Sequence, residues 1–414
     1  MTRDGQWQPE TQNNSPIIIL LFCFTFTMSA IDKESTDTIP IEATMTAILA
    51  TMTAILYGLH FIQIPLKSQR TSTSSSSLKL STALPIQLPN PQTEPTKYCY
   101  EIFCTKYTIF WIFSFSYIVV SQCYEYFTAW TYLFVCGGLA LPLVLQPWLY
   151  PSAGFGRNSD FIVNPDVHRP LSQRYSTKCT IYLLTYSFIG NYWYTHYFYS
   201  VLQAKYMMPA QRLNDVPIAM YLATHFYFTT YHACVGNGFL RFVDRNYGDR
   251  DDDERLNDGN TSYDRGNDIS NNLYGNKNRG WRKQILFWYT VLYLSYFTAF
   301  METLTISSFP YYSFKDQVMA YKYGSAFYGI YFLVSFPGFY YLDRFVDEDL
   351  GVTGKSGNEK QHQLSRSRAM SLMDSFVTSC GHGMMILTLL DFVRLYLGIP
   401  LKIGGVAFAA TGTK

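Results

Sequence analysis

Apolar residues gather along this chain in runs of about 20, enough to cross the hydrocarbon core of a bilayer as α-helices. Seven such runs fall at roughly 104–123, 127–149, 180–203, 216–240, 284–308, 318–341 and 373–397. They predict an all-α fold, a polytopic membrane helix bundle of about seven core transmembrane helices. Ahead of them lie a short apolar run (Pro16–Ala30), a second at 41–64, and a Ser/Thr/Pro-rich linker near 67–97. "TMTAILA" followed by "TMTAILY" over 44–57 is a seven-residue tandem duplication. Two copies make no solenoid. The extension reads either as a two-helix membrane hairpin or as a targeting segment, and Arg3 alone is a weak basic flank for the latter. The chain therefore divides into an extension (1–96), a membrane-embedded body (97–400) and a short tail (401–414).

Composition agrees with the pattern. Of 414 residues 48% are hydrophobic and 15% charged, and aromatics reach 18%, with 35 Tyr and 31 Phe. Soluble domains carry roughly 25% charged residues. The net charge of +2 and the lack of a basic stripe interleaved with aromatics exclude a nucleic-acid partner. Eight cysteines include no CxxC pair, so neither a disulfide framework nor a zinc site is indicated.

Lys and Arg are unevenly shared between the connections. One set holds Arg157, Arg169, Arg174 and Lys178, then nine basic residues from Arg241 to Lys283, then Arg344, Lys355, Lys360, Arg366 and Arg368. The opposite set holds Lys205, Arg212 and Lys315. By the positive-inside rule the start of the body faces the cytoplasm and its end the other side. The Asn260-Thr261-Ser262 sequon would then go unmodified. Its loop, rich in Asp, Asn and Gly, has a disorder-prone composition.

Polar residues inside the predicted spans are costly in lipid and are functional candidates by default, with helix–helix hydrogen bonding as the plainer alternative. Tyr221, His225, Thr229 and His232 recur at i, i+4, i+8 and i+11, one face of a regular helix. Ser295, Thr298, Glu302 and Thr305 line up similarly, setting an intramembrane glutamate near the centre of its predicted span with hydroxyls above and below. Asn191 shares a face with Thr195, and His196 lies beside Tyr192 and Tyr199. His382 follows Ser375 and Thr378, whereas Asp391 and Arg394, at i and i+3, read as an ion pair. Lys322, Ser325 and Gly329 share a side, and Lys322 reads equally as a snorkelling terminus. Polar stripes turned inward describe a largely apolar cavity with a few polar groups, the usual form of a small-molecule site.

Missing motifs narrow the chemistry. Seven scattered histidines without HxxxH or HxxHH exclude the di-iron membrane oxidases. HExxH and GxSxG are absent, no GxGxxG follows a strand, and "GKS" at 354–356 lacks the first glycine of a P-loop. Carboxyl and imidazole chemistry remains, with no cofactor and no metal. Proton transfer to a hydrophobic substrate fits, and so does binding without reaction.

Five blocks in order, "SFIGNYWYTHYF", "LNDVPIAMYLATHFYFTTYH", "SYFTAFMETLTISSFPYYSF", "YKYGSAFYGIYFLVSFPGFYYLD" and "DFVRLYLG", resemble the cycloeucalenol cycloisomerases, sterol-biosynthetic enzymes of plants and algae. The resemblance spans about 97–400; the extension and the 245–280 loop depart from it. It implies a multi-pass protein of the endoplasmic reticulum membrane whose partner is a sterol within the bilayer. The implied reaction opens the 9β,19-cyclopropane ring of cycloeucalenol to give the Δ8 sterol obtusifoliol.

No catalytic residues carry over from the family, so roles rest on physics. Protonating a carbon–carbon bond needs an acid held neutral until use, and Glu302 is the first candidate, with His225 and His232 beside it as catalytic groups. Asn191, Tyr192, Trp193, His196, Tyr221, Thr298 and His382 are candidates to bind the sterol. A non-catalytic sterol receptor or carrier, and a sterol Δ8–Δ7 isomerase, use the same features.

Overall fold

The computed structural model describes residues 50–51, 53–54, 86–149, 164–247, 269–307, 309–315, 324–347, 369–403 and 406–408. The Pro16–Ala30 run, most of the tandem duplication, Asn260, Lys322 and the 354–356 fragment lie outside them. So does most of the segment read either as a membrane hairpin or as a targeting segment.

Several helix starts have an identifiable cause. Helix α1 (Pro95–Val120) opens on a proline, whose missing amide hydrogen has no helical partner to lose there. Asp347 caps it from a distant turn, accepting the Thr96 and Lys97 amides at 3.2 and 3.4 Å. Helix α2 (Ala129–Leu149) carries Pro142 and Pro147 within it. Helix α3 (Tyr175–Ile189) is started by Asp166, which accepts the amides of Tyr175 and Ser176. A π turn (Gly190–Tyr194) joins it to α4 (Thr195–Val201). Helix α5 (Ile218–Thr229) likewise passes through a π turn (Thr230–Gly236) into α6 (Asn237–Tyr247). Then come α7 (Ile269–Ser307), α8 (Ser325–Tyr340) and α9 (Leu372–Tyr396), the last opened by a reciprocal Ser371–Asp374 capping box.

The expectation of about seven core transmembrane helices is corrected here. Among the described residues four helices are long and apolar enough to cross a membrane: Pro95–Val120, Ala129–Leu149, Lys283–Thr305 and Leu372–Tyr396. Predicted spans 180–203 and 216–240 are each divided by a π turn into shorter α-helical pieces. The sixth is a helix of only 16 residues, Ser325–Tyr340. Apolar run length counted the two divided segments as single spans because it cannot see a break in hydrogen-bond register.

Outward faces of the four long helices carry apolar side chains such as Phe110, Phe113, Phe134, Met384 and Phe392, all exposed. That is the surface expected of helices solvated by lipid. Inward faces meet a core dominated by aromatics: Trp111, Tyr182, Tyr186, Tyr194, Phe226, Phe332, Phe336 and Phe339 are all essentially inaccessible.

The divided helices form the centre of this packing. The π turn after α5 is fixed to α1, since Trp111 Nε1 donates to Thr230 Oγ1 at 3.0 Å and Thr108 Oγ1 lies 2.9 Å from the same atom. Helix α3 is tied to α8 by Tyr186, whose hydroxyl donates to the Tyr331 carbonyl at 3.1 Å. It is tied to α9 where Ser379 Oγ donates to the Tyr182 carbonyl at 2.8 Å.

Gly338 in α8 is required by a close approach. A Cβ there would clash with Cε1 of His382, a ring itself held by Tyr182. Gly338→Ala should therefore overpack this contact, costing about 1–3 kcal/mol and lowering the melting temperature in detergent. An unchanged melting temperature would show that His382 can move aside.

Three two-stranded antiparallel ribbons complete the described fold: β1 (Lys205–Tyr206) with β4 (Tyr312–Ser313), β2 (Arg212–Leu213) with β3 (Val216–Pro217), and β5 (Leu401–Ile403) with β6 (Val406–Phe408). In the first, Tyr206 pairs with Tyr312, their rings 4.6 Å apart edge to face.

Buried charges link helix ends that are remote in sequence. Glu101 of α1 accepts two hydrogen bonds from Arg241 of α6, at 2.8 and 2.6 Å, and a third from Asn237 Nδ2 at 3.0 Å. Lys178 of α3 donates to Asp343, beyond α8, and both side chains are buried. Arg169 pairs with Asp166 and reaches the Val346 carbonyl at 2.8 Å. Cys179 lies within electrostatic range of Glu101, Asp166 and Asp343, so the three pairs form one neighbourhood.

Candidate functional site

Glu302 stands near the C-terminal end of the long apolar stretch of α7, rather than at the centre of a span as its sequence position suggests. Thr305 Oγ1 donates to the Glu302 carbonyl at 2.8 Å, and Thr298, one turn earlier, is buried. The Thr305 hydroxyl serves the helix. The carboxyl group itself meets tyrosines.

Tyr328 of α8 is among its electrostatic neighbours. Tyr186, Tyr206, Tyr227, Tyr231, Tyr312 and Tyr331 all lie within electrostatic range of it. They come from α3, α5 and its π turn, α8, and the β1–β4 ribbon. The second carboxyl oxygen, Oε2, is buried with no hydrogen-bond partner, and so is the Tyr331 hydroxyl. Leaving a buried polar atom unsatisfied costs about 1–3 kcal/mol, and two such atoms lie in this neighbourhood.

The histidines separate into two kinds. His232 is fully engaged: Nδ1 lies 2.7 Å from the Phe228 carbonyl and Nε2 lies 2.8 Å from Ser335 Oγ. Rings of Tyr186, Phe228, Phe332, Phe336 and Phe339 surround it. His382 Nδ1 is 2.8 Å from the Tyr182 hydroxyl. His225, by contrast, is 1% exposed and neither ring nitrogen has a partner. His196 is also buried, with Nε2 unpartnered. Among the described residues no three His, Cys, Asp or Glu side chains converge as a metal site would require.

Asn191 belongs to the helix break. Its Nδ2 donates to the Ser187 carbonyl at 2.8 Å and to Thr224 Oγ1 at 2.9 Å, holding the π turn of α3 against α5. Tyr192, Trp193 and Tyr221 sit toward the periphery. Tyr192 stacks on exposed Phe188, Trp193 is 43% exposed, and the Tyr221 hydroxyl donates to the Leu213 carbonyl. Asp391 is paired with Arg394 at 2.6 Å, as their spacing predicts.

The structure thus places Glu302 among tyrosines. Tyr328 and Tyr331 were legible as an i, i+3 pair in "AFYGIYFL", and Tyr227 and Tyr231 as an i, i+4 pair. Their number along the chain hid them.

No family model matches the chain, and no solved structure matches it. It is 31% identical over 313 residues to the cycloeucalenol cycloisomerase of Arabidopsis thaliana, a match that covers 75% of this chain and 90% of the relative. The chain belongs to the cycloeucalenol cycloisomerase family. Membership in the cycloeucalenol cycloisomerase family supports an isomerase-type activity connected with sterol biosynthesis. The four long apolar helices accord with a membrane-embedded, polytopic member of it.

Proposed function

We propose that this chain opens the 9β,19-cyclopropane ring of cycloeucalenol to give obtusifoliol, and that it does so as a multi-pass protein of the endoplasmic reticulum membrane. The body from 97 to 400 carries the reaction. The single observation behind the chemistry is the buried, unpartnered Oε2 of Glu302 within a cluster of tyrosines; kinship with the Arabidopsis thaliana enzyme supplies the substrate.

The reaction needs no net oxidation or reduction. Glu302 gives its carboxyl proton to C19, and the electron pair of the C9–C19 bond becomes the new C19–H bond. C9 is left electron-deficient. The pair of the 8β C–H bond then forms the C8=C9 double bond, and that proton returns to the Glu302 carboxylate. Bridge and departing proton share the β face of the sterol, so one carboxyl group can serve both steps as acid and then base. Faces of the surrounding tyrosines stabilise the transient cation.

Expressing the full chain in yeast microsomes, feeding cycloeucalenol and analysing sterols by mass spectrometry tests the reading. Obtusifoliol is the expected product. Tight sterol binding without product would make the protein a carrier or receptor, and a product formed only from a Δ8 sterol would make it a Δ8–Δ7 isomerase.

A further inference from the structure

A seven-residue repeat returns to nearly the same side of an α-helix after two turns, so a duplicated heptad builds one continuous seam. The duplication over 44–57 sets Thr46, Leu49, Thr53 and Leu56 at that spacing. Within it Ala50, Thr51, Thr53 and Ala54 are helical, and among these four only Thr53 is partly buried. Its Oγ1 donates to the Tyr293 hydroxyl of α7 at 3.0 Å, across 240 residues of chain. Thr53 falls in the middle of the apolar run 41–64, and Tyr293 near the middle of the stretch Lys283–Thr305.

The surface that meets it on α7 has the same period. Tyr293 and Phe300 are seven residues apart, and so are Phe297 and Leu304. Phe300 and Leu304 are each 4% exposed, yet with Tyr293, Tyr296, Phe297 and Met301 they form a cluster apart from the main core. They point away from α8, which meets α7 where Gly329 approaches Ser295 and Ser325 bonds Thr303. Something other than the main core therefore buries them.

Chain direction follows from the linker. The Gln87 carbonyl accepts from Arg241 of α6 at 2.9 Å, and the Gln87 amide donates to the Gly238 carbonyl at 3.1 Å. Asp244 of the same helix pairs with Lys283 at 2.8 Å, where the apolar stretch of α7 begins. A Ser/Thr/Pro-rich linker is kept out of lipid, so the apolar run ends at the same side of the bundle where that stretch begins.

We infer that the duplicated segment docks antiparallel along the outer face of α7, heptad against heptad, with Thr53 at Tyr293 and Thr46 at Phe300. The occupant of that face is the chain's own extension, kept in the working protein rather than removed as a targeting segment. It lies outside the region that resembles the family, and it fastens the helix carrying Glu302 from the side away from α8. The inference stands apart from the ring-opening reading.

Two measurements on the full chain in microsomes test it. Mass spectrometry of the mature protein should find residues 41–64 retained. Oxidative cross-linking should then join Thr53→Cys to Tyr293→Cys, and Thr46→Cys to Phe300→Cys, severalfold more than the single-cysteine controls. A protease site placed in the linker makes each link visible, because the cut extension stays attached until reduced. His60→Cys with Phe300→Cys, the pair that a parallel arrangement would bring together, should stay at the control level. A mature chain that begins beyond residue 64, or failure of the Thr53–Tyr293 pair, overturns the docking. Failure of the Thr46–Phe300 pair, or linking through His60 instead, overturns the antiparallel heptad alignment.

Discussion

Glu302→Gln should nearly abolish conversion of cycloeucalenol while sparing folding and sterol binding. The amide keeps the shape of the side chain but has no carboxyl proton to give. Loss of a general acid typically costs ~10²–10⁴ in rate, and attack on a carbon–carbon bond places the demand at the upper end. No other carboxylate named near a span end matches it: Asp391 is 2.6 Å from Arg394 and committed to that pair. Paired sterol-binding and turnover measurements on parent and variant decide the matter. Turnover within a few-fold of the parent would reduce Glu302 to a structural group. The acid would then be sought first at His225, whose two ring nitrogens are buried and unpartnered, ahead of His232 and His382, which are engaged.

A comparably large effect, on stability rather than rate, is expected at Arg241. Its guanidinium makes two short hydrogen bonds to Glu101 and a further one to the Gln87 carbonyl at 2.9 Å. Removing one partner of a buried ion pair leaves the other charge without compensation and costs about 3–5 kcal/mol. Arg241→Met should thus sharply lower the melting temperature in detergent and the yield of monodisperse protein. Adding Glu101→Met should recover a large part of the loss, because two apolar side chains leave no stranded charge. Equal melting temperatures for parent and Arg241→Met would show that water reaches Glu101.

Much of this architecture is written in the run lengths of apolar residues, which locate α1, α2, the apolar part of α7, and α9. The two divided helices were not readable that way. A π turn adds a residue to one turn of helix, so side chains on either side of it no longer follow one 3.6-residue count. Tyr221, His225, Thr229 and His232 share a face only on an unbroken helix, yet the break begins at Thr230. Tyr221, His225 and Thr229 keep their common face on unbroken α5, whereas His232 falls beyond the break and meets Ser335 of α8. The opposite held for Glu302: an isolated carboxylate in an apolar run is conspicuous, and it does occupy the tyrosine cluster. Its neighbours are drawn from five separate segments, and only tertiary packing brings those together. Glu101 and Lys178 were obscured for another reason. They lie at span edges, where a charge is ordinarily solvated, and nothing local announces a partner 140 or 165 residues away.

Those separations also bear on how the protein is made. Glu101 leaves the ribosome 140 residues before Arg241, and Lys178 precedes Asp343 by 165. At roughly 5–20 residues per second, each waits on the order of 10 to 30 s for its counter-ion. During that interval an uncompensated charge cannot settle into the hydrocarbon interior. Helices α1 and α3 must instead be kept at the aqueous boundary or within the insertion machinery until α6 and the turn after α8 emerge. Final packing of the first half of the bundle is therefore paced by synthesis of the second.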